Sequence, residues 1–345
     1  MELKRRQLDA AVAHGLISAV QADGLWAFLS KQAQEKPDLR LTHVLYYLGG
    51  LIAIGAMTLF MNLGWERFGG WGLFGIALVY ACAGLWLTRH WLERGLKLPA
   101  GIAAAFVVAL TPLAVYGLQI ALGAWPQGMN YRDYHRLVDW RWLLMELATL
   151  AIGAILLWRH PLPFLVLPIA VTLWYLGMDL TPFLFGTDDP ALNWEHRKRV
   201  SLLFGAAMLA LAFWVDIRSR HDLDYAFWLY LFGVMSFWGG LSLLGSGSEL
   251  GRFGYFCVNL ALLGVAAILN RRVFAVFGAL GAAGYLGYLA WNLFRDSWAF
   301  PFVLTAIGLS VVWLGIVWQR HEPAFSARLR AYLPLPLREL LEARR

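Results

Sequence analysis

The residues of this chain most able to do chemistry are acids set inside long apolar runs. Asp179 lies in TLWYLGMDLTPFLF and Glu146 in WRWLLMELATLAIG. Pro168, Thr172, Tyr175, Asp179 and Pro182 follow one another at helical spacing, so they share one helix face that is polar and interrupted by proline. Glu146, Thr149 and Gly153 share a face of the preceding helix by the same rule. Only Arg159, His160 and Pro161 join the two helices, which makes them antiparallel neighbours. At ~1.5 Å per residue, Glu146 lies about 9 Å beyond Trp140 and Asp179 about 10 Å before Gly186, at matching depth. An unpaired carboxylate in mid-helix costs about 2.5 to 3.5 kcal/mol on insertion scales, and each surrounding Leu, Phe or Ile returns about 0.3 to 0.6. Insertion therefore survives the acids. What holds them is a proton shared between them, a basic group such as Arg141, or a hydrated vestibule. Two carboxyls facing each other in a low dielectric repel when both are ionised, so the pair is expected to retain a proton, which suits proton coupling along Glu146, Asp179, Tyr175 and Thr172. An interhelical hydrogen bond that only fixes packing is the competing reading.

Two polar segments carry the other reactive side chains. AWPQGMNYRDYHRLVDW offers Asp133, His135, Arg136 and Asp139, and GTDDPALNWEHRKR offers Asp188, Asp189, Glu195 and His196. Acids beside a histidine serve acid–base work or a divalent metal, yet no spacing here matches a ligand motif such as HExxH. Tyr131, Tyr134, Trp140 and Trp142 fit equally well as an interfacial aromatic belt. A Gly-rich phosphate loop, a nucleophile elbow and a haem-attachment motif are absent, so the sequence assigns no metal site, no cofactor and no catalytic residue.

The elements that must position these residues are transmembrane. Of 345 residues 60% are hydrophobic and 18 are Trp, and the mean hydropathy is +0.57, far above soluble usage. Apolar runs long enough to cross ~30 Å of hydrocarbon recur at 43–64, 71–89, 99–123, 140–158, 162–186, 200–217, 225–246, 253–270, 273–294 and 299–318. The expected fold is all-α, a polytopic transmembrane helix bundle of about ten spans. No apolar core falls in the first forty residues and no cleavage site follows MELKRR, so the first span is expected to be an uncleaved anchor. Most of the 29 Lys and Arg fall on one side of the spans, which puts both termini in the cytoplasm and the two polar segments outside. The net charge of +7 then anchors the chain to anionic lipid. No basic stretch interleaved with aromatics on a soluble module points to nucleic acid.

Small residues and breakers fill in the bundle. Ala279, Ala283 and Gly287 recur every four residues and are expected to let two helices approach closely. Thr111 and Pro112 break the third span, with Gln119 beyond the break. Cys82 and Cys257 fall in mid-span, which indicates neither a disulfide nor a thiolate metal site. Ten spans permit an inverted five-plus-five repeat, although the halves show no sequence echo.

Residues 1–40 read as a cytoplasmic αα-hairpin. Leu8, Ala11 and Val12 lie at helical spacing, Gly15 suits a left-handed cap, and Ser18 with Gln21 matches a capping box before Ala22, Leu25, Trp26 and Leu29. Residues 41–318 form the transmembrane domain. Residues 319–345 place Phe325, Leu329 and Leu333 on one face among arginines, as expected of an interfacial helix on the cytoplasmic surface.

The hairpin with GLIS, then RLTHVLYYLGGLIAIGAMTLFMNLGW, TPLAVYGLQ, YRDYHRLVDWRWLLMELATL and PFLVLPIAVTLWYLGMDL, resembles a family of bacterial membrane proteins catalogued as domain of unknown function 2157. The likeness covers roughly the first half of the chain. It implies a bacterial inner membrane and no established reaction. Three function classes follow. Intramembrane acids favour a proton-coupled or small-molecule transporter, the hairpin favours an assembly or sensor protein docking a partner or self-associating, and the outward acid–histidine segments favour an enzyme acting on a lipid-linked substrate.

Overall fold

In a computed structural model the described residues are 8, 12–13, 15–33, 41–63, 65–125, 140–185, 190–218, 224–245, 248–294 and scattered positions between 298 and 313. Every element among them is helical. The chain divides into two compact units, Met1–Ala56 and Met57–Arg345.

In the first unit, helix α1 (Ala19–Ala33) starts at the reciprocal box that the sequence predicts. Gln21 N–H donates to Ser18 Oγ at 3.2 Å, and Ser18 N–H donates to Gln21 Oε1 at 3.0 Å. Two N–H groups that a helix start leaves without intrahelical partners are thereby satisfied. Gly15 turns the chain just before with φ of 68° and donates its N–H to the Val12 carbonyl at 2.9 Å, a conformation that a side chain disfavours. Leu8 and Ala22 are buried, Trp26 is half-buried, and Leu16, Val20 and Leu25 are exposed. Helix α2 (Leu41–Leu63) follows and crosses the division between the units.

The second unit is a helical bundle of α3 (Trp65–Glu93), α4 (Lys97–Ala109), α5 (Thr111–Ala121), α6 (Trp140–Arg159), α7 (Val166–Phe185), α8 (Pro190–Arg218), α9 (Phe227–Leu244), α10 (Glu249–Leu269) and α11 (Arg272–Phe294). Among the described residues eight helical stretches are long and apolar enough to cross a membrane: Phe68–Glu93, Lys97–Ala121, Trp140–Arg159, Pro163–Phe185, Asn193–Arg218, Phe227–Leu244, Glu249–Leu269 and Arg272–Asn292. They coincide with the second to ninth sequence-predicted spans. The first of the predicted spans corresponds to α2, while most of the tenth and the whole tail lie outside the described residues. The third predicted span is one stretch in two helices jointed at Leu110, because Pro112 cannot continue the hydrogen-bond ladder.

Among the described residues the most extensive helix pairing joins α8 and α9. A Cβ on Gly205 would come within 2.3 Å of the Phe237 backbone nitrogen, so the two backbones touch there. Ser201 Oγ and Ser236 Oγ each bond to the other residue's carbonyl at 3.0 and 2.9 Å. Small residues with a hydroxyl pair are a standard way to join helices in lipid, where helix–helix contact gains nothing from expelling water. The α10–α11 contact corrects the expectation for the ninth span. Ala279 and Ala283 are exposed, and the close approach is made by Gly278 and Gly281, where a Cβ would strike the Asn259 carbonyl and amide. Asn259 is fully buried there, bonded to Trp238 Nε1 at 3.0 Å and to the Tyr255 carbonyl at 2.8 Å.

Candidate functional site

Helix α6 turns Trp142, Met145, Glu146, Thr149 and Gly153 inward, an apolar stripe with one carboxyl in it. It packs against α5 and α7. Near its Arg159 end the approach to α7 is tight, since a Cβ on Gly153 would lie 2.7 Å from Ile169 Cγ1. Toward the other end, Glu146 meets Asp179. The two are 8% and 6% exposed, and Asp179 stands close enough to act on Glu146 both through its charge and as a hydrogen-bond partner. Neither Glu146 oxygen receives a donor among the described residues. These two observations agree once the chemistry is considered: ionised carboxylates are acceptors only, so the contact becomes a bond when a proton lies between them.

Two of the neighbouring hydroxyls do not serve the pair. Thr149 Oγ donates to the Met145 carbonyl at 2.7 Å and Thr172 Oγ to the Pro168 carbonyl at 2.8 Å, each turned back on its own helix. Tyr175 is half-buried and packs edge-on against Trp174, ring centres 5.2 Å apart. Pro182, inside α7, has no N–H to offer the Met178 carbonyl, which leaves a loosened turn beside Asp179. Arg141, considered from the sequence as a partner for the acids, donates to the Ala124 carbonyl and lies over the Trp140 ring, 5.0 Å from its centre.

On the α5 side, Gln119 is 5% exposed; its Nε2 donates to the Arg141 carbonyl at 3.1 Å, while its Oε1 is buried without a donor. Beside it Tyr116, Trp125 and Trp142 stack edge-to-face at 4.7 and 5.3 Å. Helices α5 and α6 thus meet through an aromatic cluster, on the same inward face of α6 that carries Glu146.

Of the outward residues, Asp133, His135, Arg136, Asp139, Asp188 and Asp189 lie outside the described residues. His196 is described, and the loop expected to carry it is a correction. Helix α8 begins at Pro190, ten residues before the predicted span, so Glu195 and His196 are helical. His196 stacks flat on Phe185 with ring centres 4.2 Å apart, and Glu195 pairs with Lys198. Proline is preorganised for a helix's first turn, and a hydropathy window cannot see helix that is polar. Among the described residues no three His, Cys, Asp or Glu converge as metal ligands would.

A second charged cluster, not anticipated, lies at the Arg159 end. Asn270 closes α10 in the left-handed conformation, φ 55°, and the turn delivers Arg271 to Asp216 at 2.7 Å and to Asp224. Tyr230 donates to the second Asp216 oxygen at 3.3 Å, and its ring lies 5.4 Å below the guanidinium. Asp224 also accepts from Phe227 N–H at 3.1 Å, satisfying the first N–H of α9. Burial works against the Arg271 charge, and the two carboxylates outweigh it, holding the group above its ordinary value. Every charge in this cluster has a partner, which marks it as architecture. Asp216 inside FWVDIR was the available signal, an acid at the end of an apolar run.

Fold and site together define an all-helical, multi-pass membrane protein with a buried carboxyl pair. Comparison with known proteins finds no matching family model, no matching curated protein and no matching solved structure.

Proposed function

We propose that the chain is a proton-coupled or small-molecule transporter of a bacterial inner membrane. In this reading it has ten spans and both termini in the cytoplasm, and Glu146 and Asp179 form its proton-binding element near the outer face. The observation that carries this reading is the facing of two buried carboxyls from adjacent helices, with no donor for Glu146 among the described residues. Such a pair is expensive to keep as mere glue and is typical of ion and proton paths. The proline in α7 supports it, since a turn freed of its hydrogen bond can rearrange as the proton comes and goes. The topology is supported by Arg89, Arg159, Arg218 and Arg271, which fall at the ends of their helices assigned to the cytoplasm. The family likeness in the first half of the chain supports the bacterial membrane.

A second reading rests on the exposed Leu16 and Val20 beside the capping box, which would suit a partner docking on the hairpin. The two readings separate in vesicles containing the purified protein and a trapped pH dye, under an imposed inside-negative potential. Acidification faster than in protein-free vesicles, and lost in Asp179→Asn, is the expected result. Wild-type vesicles no faster than empty ones, or an Asp179→Asn variant equal to wild type, would remove the transporter.

A further inference from the structure

We propose that the Arg159 end of the bundle carries a binding site for the headgroup of an anionic phospholipid, built from Arg89, Arg159 and His160 and flanked by Trp86 and Trp158. This site is separate from the carboxyl pair, and nothing in the transport reading requires it.

The local structure brings these residues together from three elements. The ends of α3 and α6 are tied by one apolar cluster in which Trp91, Leu92, Leu156 and Leu157 pack around Ala100, Leu162 and Leu165. That cluster sets Arg89, near the end of α3, and Arg159, the last residue of α6, within electrostatic range of His160. Arg89 and Arg159 are exposed, and among the described residues neither guanidinium has an ion-pair or hydrogen-bond partner. Two other arginines of this bundle, by contrast, are engaged by carboxylates: Arg271 with two aspartates, and Arg252 with Glu249 as well as Tyr288. A cationic group of this kind, left without a carboxylate, is completed by an anion.

The surroundings select a lipid as the anion's source. Trp86 and Trp158 are 63% and 88% exposed at the same helix ends, the place where amphipathic rings sit at the headgroup level. Guanidinium forks match phosphate oxygens with paired hydrogen bonds. A phosphate fixed to acyl chains also gains from the apolar flanks of α3 and α6, which a free ion does not. Burial, Arg159 and Arg89 together hold the His160 imidazole below its ordinary range, as an uncompensated basic neighbourhood does.

The test uses the full-length protein in a mild nonionic detergent, with thermal unfolding followed as lipid is added. Phosphatidylglycerol should raise Tm, while phosphatidylcholine and inorganic phosphate should not. Arg89→Gln with Arg159→Gln should start near the wild-type Tm and lose most of the phosphatidylglycerol rise. The control Arg94→Gln with Lys97→Gln, on the adjoining turn, should keep it. A double variant that responds like wild type, or a control that loses the response equally, would overturn the site in favour of diffuse surface charge. A rise of equal size with inorganic phosphate would overturn the lipid. If the arginines serve only to complement the C-terminal helix dipoles, Tm of the double variant falls by the same amount with and without lipid.

Discussion

Arg271 donates to Asp216 at 2.7 Å across 55 residues of sequence, which ties the start of α11 to the end of α8. The pair is nearly dry, with side-chain exposures of 14% and 9%. Removing the cation would leave a buried carboxylate without its closest positive charge, and its bond to Tyr230 is long at 3.3 Å. Breaking one side of a buried pair costs about 3 to 5 kcal/mol. Arg271→Gln should therefore lower stability by roughly 3 kcal/mol, read as a large fall in Tm in detergent. Asp224→Asn, whose carboxyl is 46% exposed, should cost no more than about 1 kcal/mol. Equal losses would mean that Asp224 anchors the cluster.

The contact between α8 and α9 makes a graded prediction. Ser201→Ala removes one of two reciprocal hydrogen bonds and should cost about 0.6 to 1.7 kcal/mol, the range of such bonds in membranes. Gly205→Ala must push a methyl against the Phe237 backbone, which cannot rotate away, and overpacking of that kind costs about 1 to 3 kcal/mol or more. Unfolding midpoints should fall in the order wild type, Ser201→Ala, Gly205→Ala. A neutral Gly205→Ala would show that the helices separate easily.

His160 gives the chain a pH dependence with a definite sign. Burial first, then the charges of Arg159 and Arg89, push its native value below the ordinary histidine value of about 6.5. Below that ordinary value the unfolded chain takes up a proton that the native chain resists, so stability falls as pH drops through the window between the two values. It levels off once both states are protonated. Lipid-free protein should thus lose Tm on going from neutral to mildly acidic pH. His160→Gln should flatten that part of the profile and Arg89→Gln should shrink it, whereas an unchanged profile in His160→Gln would assign the dependence to another group.

The parts of this architecture readable from sequence are those fixed by local length and periodicity. Eight predicted spans correspond to helices because a run of about twenty apolar residues has one way to satisfy its backbone in lipid. Glu146 and Asp179 could be placed opposite each other because three residues join their helices, which sets orientation and depth at once. The start of α8 was misplaced because the polar turns from Asn193 to Arg199 are good helix but not apolar. In GALGAAGYLG small residues occupy several faces, and the partner surface around Asn259 selects Gly278 and Gly281. Arg271 and Asp216 could not be paired by inspection, since their meeting depends on how distant helices pack.

The carboxyl pair can be tested for coupling independently of any transport assay. If Glu146 and Asp179 share a proton, each acid's worth depends on the other, and the two substitutions must be non-additive. Asp179→Asn supplies Glu146 with a permanent donor of similar size, so it should be nearly neutral for stability. Asp179→Leu leaves Glu146 buried with no polar partner facing it and should cost about 1 to 3 kcal/mol. Adding Glu146→Leu to that variant should recover most of the loss, because replacing both members of a buried polar pair with apolar groups is often neutral. Thermal unfolding of these three variants and of Glu146→Leu alone, at a pH where wild type is most stable, closes the cycle. Losses that simply add would show that the two carboxyls do not act on each other, and the proton-sharing element would be gone whatever the vesicles report.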